Sequence, residues 1–422
     1  MKYAEYKDSG IEWIGNIPIH WNLMKGKFVV KVLPGYAFDS ENFTSDEGLP
    51  LIRIRDINST STEINYSGSY NEEYIVNTGD VLVGMDGDFN VAKWEGEIAL
   101  LNQRVCKIVG TDTMLSSYVY YLLSRPLKLI NDICYATTVK HLSTSDVENS
   151  FFPIPAIEEQ QAIVSYLDEK CGKINRAIDV QQRKIDLLNE LKQTIITNAV
   201  TKGLNPDAPM KDSRVEWIGK VPAHWEVMKT SLAFLGIGSG TTPSTSKKEY
   251  YTEDDGLYWL QTGDLNDGEI TETSKKITSL AAKECNLKFY PTGSVVIAMY
   301  GATIGKVGLL KISTSTNQAC CVLPKSKRCI PAFAFYLFIG AKKQLLVDAM
   351  GGGQPNISQD IIKKLKVSIP PISEQRIIVE HIAGEVSKID TQISKANRRI
   401  ELLNELKQSI ITEAVTGKIK VV

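Results

Sequence analysis

The residues best suited to chemistry in this chain are polar side chains that alternate with apolar ones. Arg53 and Arg55 alternate with apolar residues in one segment, and Gln261 and Gly263 do so at the matching place of a second segment. A strand would put each pair on one face. Arg pairs with guanine N7 and O6, and Gln with adenine N6 and N7. The pattern predicts base recognition; pairing of the arginines with nearby acids is an equally open alternative.

A glycine-rich segment at 350–356 carries two further candidates, Gln354 and Asn356, ahead of a helix predicted to start near Ser358. Glycine lets a backbone approach a ligand closely, and both side chains are suited to adenine. The counterpart at 136–143 has different residues in the same place. We therefore predict a recognition loop, with a simple surface turn as the alternative.

Signs of catalysis are weak. Residues 234–238 have the F-x-G-x-G pattern of a S-adenosylmethionine turn, but the Asn/Asp-Pro-Pro-aromatic loop of a DNA methyltransferase is missing. Residues 301–307 are one residue short of a phosphate loop and end in valine. His20 and His224 stand in repeated Pro-x-His-Trp corners, without a second ligand at metal spacing. We expect no catalytic set, no metal site and no bound cofactor; an enzyme that methylates DNA by itself is the disfavoured alternative.

The chain repeats itself over a domain-sized distance. Residues 7–21 return as 211–225, at an offset of 204, and residues 185–193 return as 400–408, at an offset of 215. Solenoid repeats run only about 20–50 residues. The chain is therefore two copies of one unit, suited to a partner with two-fold symmetry such as duplex DNA.

Each copy ends in a heptad pattern, at 167–199 and again at 382–414. A 3.5-residue apolar period sustained over four or more heptads predicts a coiled coil. Each predicted helix has about 44 residues and is roughly 65 Å long. We expect the two to pair antiparallel within one chain; pairing between chains in a homodimer, and packing on their own domains, are alternatives. The central seam residues are Ile174, Ile178, Ile185 and Leu188 in the first helix, and Ile389, Ile393, Ile400 and Leu403 in the second.

Before each helix lies a mixed segment with short strand-like and helix-like runs, which predicts an α+β fold with a pseudo-two-fold internal repeat. The predicted domains are a first globular domain at 1–155, a helical spacer at 156–205, a second globular domain at 206–370, and a helical spacer at 371–422.

Charge is divided unevenly between the copies. The net charge of the chain is −1, yet residues 1–155 hold 13 Lys+Arg against 20 Asp+Glu, while residues 210–370 hold 20 against 14. A chain that held DNA alone through its phosphates would need more positive charge. We therefore expect a basic partner to supply much of the affinity for the DNA backbone. The absence of a long apolar run and of Cys-x-x-Cys pairs indicates a reduced, cytoplasmic protein without a membrane span.

Together these segments resemble the specificity subunit of a Type I restriction-modification enzyme. The residues that carry the resemblance are 35–40 with 49–57, 238–244, and the helix entries at 153–160 and 369–375. The resemblance implies a non-catalytic subunit whose two target recognition domains each read half of a split DNA target, with the helices setting the unread spacer. It also implies two modification subunits that carry S-adenosylmethionine and methylate adenine, and two ATP- and magnesium-dependent restriction subunits that can join.

Further residues of both copies are candidate DNA contacts. These candidates are Tyr36, Ser40, Asp88, Asn90, Lys93 and Lys140 in the first copy, and Thr241, Thr242, Ser244, Thr262, Thr303 and Lys306 in the second.

A coiled-coil scaffold that holds two protein partners without reading bases is the alternative function.

Overall fold

The computed structural model describes residues 2–133, 141–349 and 356–421. The chain forms two compact units: the first comprises Met1–Gln181 with Arg398–Val422, and the second comprises Gln182–Asn397. Each unit combines short strands, short helices and parts of both long helices, so the predicted α+β class is confirmed.

The strands of the first unit form two main sheets. In one, the antiparallel order is β10-β9-β12-β4; in the other, the order is β5-β7-β6-β11-β8, and β6 runs parallel to β11. The strands are β1 (Tyr6–Asp8), β2 (Asn16–Pro18), β3 (Asn22–Lys25), β4 (Val30–Pro34), β5 (Phe43–Thr44), β6 (Leu49–Ile52), β7 (Asn65–Tyr66), β8 (Ile75–Val76), β9 (Val81–Gly84), β10 (Val91–Lys93), β11 (Ala99–Leu101), β12 (Val105–Gly110) and β13 (Phe151–Ile154).

The second unit repeats this plan. One sheet has the order β17-β25-β22-β23-β20, and the other has β18-β21-β19-β24, in which β19 runs parallel to β24. The strands are β14 (Met210–Asp212), β15 (Lys220–Pro222), β16 (Glu226–Lys229), β17 (Gly238–Ser239), β18 (Tyr251–Thr252), β19 (Leu257–Leu260), β20 (Gly268–Ile270), β21 (Lys276–Ile277), β22 (Val295–Ala298), β23 (Val307–Leu310), β24 (Ser315–Thr316), β25 (Cys320–Leu323) and β26 (Lys366–Ile369).

Short helices cover the sheets, and two long helices follow them in sequence. Local signals mark several starts: Ser143 and Asp146 form a capping box, Ser358 caps another helix, and Pro331 occupies a first turn. The helices are α1 (Ser116–Ile133), α2 (Thr144–Asn149), α3 (Ile157–Lys202), α4 (Thr230–Ala233), α5 (Ser279–Glu284), α6 (Pro331–Gly340), α7 (Lys342–Ala349), α8 (Gln359–Lys364) and α9 (Ile372–Val415).

The main core of each unit includes residues from the long helices. In the first unit, Leu122 of α1 and Leu167 of α3 belong to one buried cluster with Ala414 of α9. In the second unit, Phe333 of α6 and Val200 of α3 belong to the equivalent cluster with residues of α9 such as Ile378. Burial of such side chains is the main favourable contribution to folding. Each globular part therefore holds one end of each long helix.

A fully buried glutamine fixes the start of each long helix. The Oε1 atom of Gln160 accepts a hydrogen bond from the Leu115 N–H at 2.8 Å, and its Nε2 donates to the carbonyl oxygens of Thr113 and Pro155 at 2.8 and 3.0 Å. Gln375 makes the equivalent three bonds in the second unit. Because the partners are backbone groups, the amide joins the helix to the loops around it.

The preceding glutamate joins the same helix to the Pro-x-His-Trp corner. The indole Nε1 of Trp21 donates to Glu159 Oε2 at 3.0 Å, and His20 Nε2 lies 3.2 Å from the same oxygen. In the second unit, Trp225 Nε1 donates to Glu374 Oε2 at 3.1 Å, and His224 Nε2 lies 2.8 Å from the same oxygen. The repeated corners therefore have a structural role, because each one is bonded to the start of a long helix.

Within each unit, α3 and α9 run antiparallel. In the first unit, Lys407 Nζ donates to Asn175 Oδ1 at 2.9 Å; in the second, Lys192 Nζ lies 2.8 Å from Asp390 Oδ1. The two lysines are repeat mates, and so are their partners. Each lysine, which stands where the heptad pattern calls for an apolar residue, is therefore paired with a polar residue of the other helix, as expected where polar residues set register.

None of the eight predicted seam residues is exposed. Ile174, Ile185 and Ile389 are buried, and the rest of the set is half-buried: Ile178, Leu188, Ile393, Ile400 and Leu403. The predicted antiparallel coiled coil within one chain is thus confirmed.

Candidate nucleic-acid interface

In each unit, two parallel strands end at the same edge and bring polar segments together. Arg53 follows β6 and Asn102 follows the parallel β11; the Asn102 N–H donates to the Ile52 carbonyl at 3.2 Å. In the second unit the Asn317 N–H donates to the Leu260 carbonyl at 3.0 Å. We call this place the reading edge of each unit.

The segment after β6 is a turn, so the predicted strand across Arg53 and Arg55 is wrong. The Asp56 Oδ2 atom accepts the Arg53 N–H at 3.0 Å, and the Asp56 N–H donates to the Arg53 carbonyl at 2.8 Å. Asp264 makes the same two bonds with Gln261, at 2.8 and 3.1 Å. An aspartate that captures a backbone N–H competes with strand pairing. Because Asp56 and Asp264 accept these N–H groups, the strands end one residue before Arg53 and Gln261.

The two arginines of this turn differ in availability. The Nε atom of Arg53 lies 3.2 Å from Asp56 Oδ2 and its Nη2 lies 2.8 Å from Glu63, leaving the side chain only 17% exposed. Arg55 is 65% exposed, and its Nη1 atom is 3.6 Å from Glu63. Arg53 therefore pairs with nearby acids, as the alternative to base recognition predicts, whereas the more exposed Arg55 can reach a ligand. In the second unit, Gln261 and Thr262 are half-buried in the equivalent turn.

A glycine brings a third segment to the reading edge. The Tyr36 N–H donates to the Leu101 carbonyl, and the Thr241 N–H donates to the Thr316 carbonyl, both at 2.9 Å. A Cβ on the preceding Gly35 would lie 2.1 Å from the Asn102 oxygen, so only glycine permits this approach. Gly240 is equally confined, since its Cβ would lie 1.7 Å from the Thr316 oxygen. Tyr36 and Thr241 are both exposed there.

A hairpin loop supplies the fourth segment. The Met85 N–H donates to the Arg104 carbonyl and the Met299 N–H to the Ala319 carbonyl, both at 2.9 Å. Asp88 and Asn90 are exposed in the first loop. The second loop is longer, running from Met299 through Lys306, and holds Thr303 and Lys306 half-buried. The loops therefore share their anchor and differ in length and residues.

The residues at the end of the glycine-rich segment and of its counterpart are bonded to these hairpins. The Ile357 N–H donates to the Met299 carbonyl at 2.8 Å, which places the exposed Asn356 next to the reading edge. The Leu142 N–H makes the same bond to the Met85 carbonyl at 2.7 Å. Lys140 and Gln354 lie outside the described residues, so their predicted roles stay predictions.

The remaining candidates are Ser40, Lys93, Thr242 and Ser244, of which Thr242 directly follows the anchored Thr241. Ser40 is exposed in a short 3-10 turn, Ser40–Asn42, and Lys93 is exposed on β10. Thr242 is half-buried and donates its hydroxyl hydrogen to Gln318, and Ser244 is exposed two residues later. The first unit has no hydroxyl at the place of Thr242, since Ala37 stands there.

Sequence reasoning missed one pair of residues in each unit. Asn102 and Gln103 follow β11, and Asn317 and Gln318 follow β24, at the centre of the reading edge. The two pairs are 215 residues apart, the offset of the helical repeat. That recurrence is the signal that could have identified them.

The buried thiols are structural. Burial raises the pKa of Cys106 and of Cys321 to about 12, so these thiols stay protonated in the core. The described residues contain no group of three or more His, Cys, Asp or Glu side chains placed to hold a metal. In the same ranges, no helix combines the length and apolar character needed to cross a membrane.

Comparison with known proteins identifies a family for both copies. The profile of the family described as "Type I restriction modification DNA specificity domain" matches residues 18–190 and 222–404. The chain is 29% identical over 424 residues to the Type I restriction enzyme EcoBI specificity subunit of Escherichia coli, covering 96% of this chain and 88% of that protein. It is 27% identical over 371 residues to the MjaVIII specificity subunit of Methanocaldococcus jannaschii, covering 83% and 81%.

A solved structure has a similar fold. It comes from work titled "Structural basis underlying complex assembly and conformational transition of the type I R-M system" and matches with a TM-score of 0.67 at 18% sequence identity. The match covers 96% of this chain and 99% of that one. At this identity the likeness concerns the fold alone.

Proposed function

This chain belongs to the Type I restriction-modification DNA specificity family, and we propose that it reads a DNA target in two separate halves, one with each reading edge. Its function is DNA target recognition, and it is a non-catalytic subunit. The predicted segments 1–155 and 206–370 would each supply one reading domain. The half-sites would differ because the side chains on the two edges differ.

One observation carries the proposal: the same backbone frame is built twice with different side chains on it. The bonds from residue 102 to 52 and from 317 to 260 are equivalent, as are the aspartate-held turns. On this frame Arg55 is replaced by Gly263 and Asn90 by Lys306. Both units need the same backbone bonds in order to fold, whereas the DNA sequence that is recognised depends on side-chain contacts to the bases. Exchange of polar side chains on a kept frame is therefore what two readers of different half-sites need.

Partner subunits complete the proposed function. Two modification subunits would carry S-adenosylmethionine and methylate adenine, and two restriction subunits using ATP and magnesium can join; this chain would bind no cofactor itself. Apolar side chains support docking on the helices. Leu187 and Leu191, one helical turn apart on α3, are 65% and 48% exposed, and their repeat mates Leu402 and Leu406 on α9 are both 48% exposed. Exposed apolar patches commonly mark interaction sites. The net charge of −1 also favours help from a basic partner in holding DNA.

The long helices would set the number of unread base pairs between the half-sites. The predicted spacer segments 156–205 and 371–422 contain α3 and α9, which have no interruption over Ile157–Lys202 and Ile372–Val415. A continuous helix gains about 1.5 Å per residue, so its length is a usable measure. We propose that the complex acts on DNA in the cytoplasm.

A domain exchange tests this proposal. Residues 206–370 are replaced by the corresponding segment of a relative with a different target, and methylated adenine is mapped across the host genome. We expect one half of the recognised motif to change and the other half and the spacer to stay. A change in both halves would contradict independent reading.

The scaffold alternative gives a different outcome in the same experiment. A scaffold that never touches bases would leave the methylated motif unchanged after the exchange. Exchange of 1–155 provides the matched control, because it should change the other half of the motif.

A further inference from the structure

Two exposed arginines at the reading edge of the first unit each lie beside a carboxylate. Arg55 Nη1 is 3.6 Å from Glu63 Oε2, and Arg104 Nε is 3.5 Å from Asp86 Oδ2. The two arginine side chains are 65% and 68% exposed. Both distances exceed the range of about 2.7–3.2 Å that is typical of an N–H···O hydrogen bond. Each guanidinium is therefore attracted to its carboxylate without being fixed by it.

A second partner holds each carboxylate in place. Arg53 Nη2 donates to Glu63 Oε2 at 2.8 Å, and His141 Nδ1 lies 2.8 Å from Asp86 Oδ1. Together with Asp56, which also bonds to Arg53, the cluster around Glu63 contains two arginines and two carboxylates and is formally neutral. The fold therefore provides an exposed guanidinium twice and offsets its charge.

Both pairs are absent from the second unit, although the backbone frame there is the same. The threonine before Glu63 marks its place, since Thr62 and Thr273 each donate a hydroxyl hydrogen to the carbonyl two residues ahead, at 3.0 and 2.6 Å. A pair that the frame needed for folding would be present in both units, so these pairs have a role particular to the first half-site. The exchanges are Arg55 to Gly263, Glu63 to Ser274, Asp86 to Tyr300 and Arg104 to Ala319.

We infer that Arg55 and Arg104 each recognise a guanine in the half-site read by the first unit, and that Glu63 and Asp86 keep these arginines from binding phosphates. Guanine offers an arginine two acceptors, N7 and O6, without carrying a charge. A phosphate that approached either arginine would also meet the neighbouring carboxylate, and the like charges repel each other. This inference rests on the proposed function and names the base that the first reading edge selects.

Two further properties favour a G·C pair as the ligand. The cytosine paired with each guanine presents its N4 amino group in the same groove, and a carboxylate is a suitable acceptor for it. In addition, residues 1–155 hold 13 Lys+Arg against 20 Asp+Glu. A domain with this charge is poorly suited to bind phosphates, so its exposed arginines are better used on bases.

Analogue bases in the DNA test the contacts. Exchange of residues 1–155 first identifies which half of the methylated motif the first unit reads. The complex of this chain with its modification subunits is then bound to duplexes carrying the target, with 7-deazaguanine at each guanine of that half in turn. This analogue lacks the N7 acceptor but still pairs with cytosine. Inosine is the matched control base, because it keeps both N7 and O6.

We expect Arg55→Ala to weaken target binding about ten- to hundredfold, the range for loss of a paired base contact. 7-Deazaguanine at one position should weaken the wild-type complex and have little further effect on Arg55→Ala. At a second position the same relation should hold for Arg104→Ala, and inosine should change affinity little at either position. Unchanged thermal unfolding midpoints establish that both variants are folded.

A separate variant tests the role of the carboxylates. Glu63→Gln removes the charge but keeps an oxygen acceptor for Arg53. We expect affinity for unrelated DNA to rise and its log–log salt slope to steepen by about one, because Arg55 gains a phosphate contact. Glu12→Gln is the matched control: Glu12 is exposed in the turn between β1 and β2, which forms no part of the reading edge, and its removal should leave the slope unchanged.

Several outcomes would overturn the inference while leaving the proposed function intact. These are a first half-site without guanine, unchanged target affinity of both arginine variants, an equal loss on target and unrelated DNA, and a Glu63→Gln effect no larger than that of Glu12→Gln. Failure of the proposed function looks different. In that case the wild-type complex itself would not distinguish its target from unrelated DNA, and the domain exchange would leave the methylated motif unchanged.

Discussion

Removal of the buried amide at the start of α3 should destabilise the first unit strongly. In Gln160→Ala, the Leu115 N–H and the carbonyls of Thr113 and Pro155 lose their partner. Thr113 is exposed, so its carbonyl can turn to water, whereas Pro155 is buried. Each buried polar group left unsatisfied costs about 1–3 kcal/mol, so we expect a loss of about 2–4 kcal/mol in the free energy of unfolding.

The assay is urea unfolding followed by circular dichroism and tryptophan fluorescence, comparing midpoints at equal slope. Gln161→Ala is the matched control: Gln161 is exposed on the same helix turn, and its removal should change the free energy of unfolding by less than about 0.5 kcal/mol. Gln375→Ala should reproduce the large loss in the second unit. A Gln160→Ala loss no larger than that of Gln161→Ala would refute the argument that these amides hold the helix starts.

Three further predictions concern the long helices. Asn175→Asp gives Lys407 a carboxylate partner, and we expect a gain of up to about 1 kcal/mol in unfolding free energy at low salt that disappears at high salt; a salt-independent change would mean the pair is not ionic. Insertion of one heptad into both α3 and α9 adds about 10 Å of helix, and the unread spacer in the methylated motif should lengthen by about three base pairs; an unchanged spacer would show that the helices are not the ruler. Leu187→Glu with Leu402→Glu should reduce co-purification of modification subunits without shifting the thermal midpoint, whereas Asn189→Glu, at an exposed site of α3, should not; equal co-purification would locate docking elsewhere.

Features that depend on short-range periodicity were predictable. The heptads predicted both long helices because an α-helix returns a side chain to the same face after each heptad, whatever else surrounds it. The duplication was visible because local packing keeps Trp21 and Trp225, both fully buried, in identical corners. The α+β class followed from the alternation of short apolar runs with helical segments.

The reading edge was less predictable, because its parts are distant in sequence. Asn102 lies beside Ile52 only because β6 and β11 pair in parallel, and nothing near either residue encodes that pairing. The strand prediction at Arg53 was wrong because of local competition. The alternation of polar and apolar residues suggested a strand, but the Asp56 carboxylate accepts the Arg53 N–H and the strand ends at Ile52. Glu63, ten residues away, then neutralises much of the Arg53 side chain.

The sequence by itself determined the two copies, the two long helices and the family, since these follow from spacing along the chain. Tertiary structure alone decided which side chains share an edge and which of them remain available. Strand pairing and buried hydrogen bonds depend on groups brought together by folding, as Gln160 and Pro155 show at one helix start and Gln103 shows at the reading edge. Whether a side chain is free to bind a ligand depends on the groups that folding places around it, and the residue type alone does not determine this.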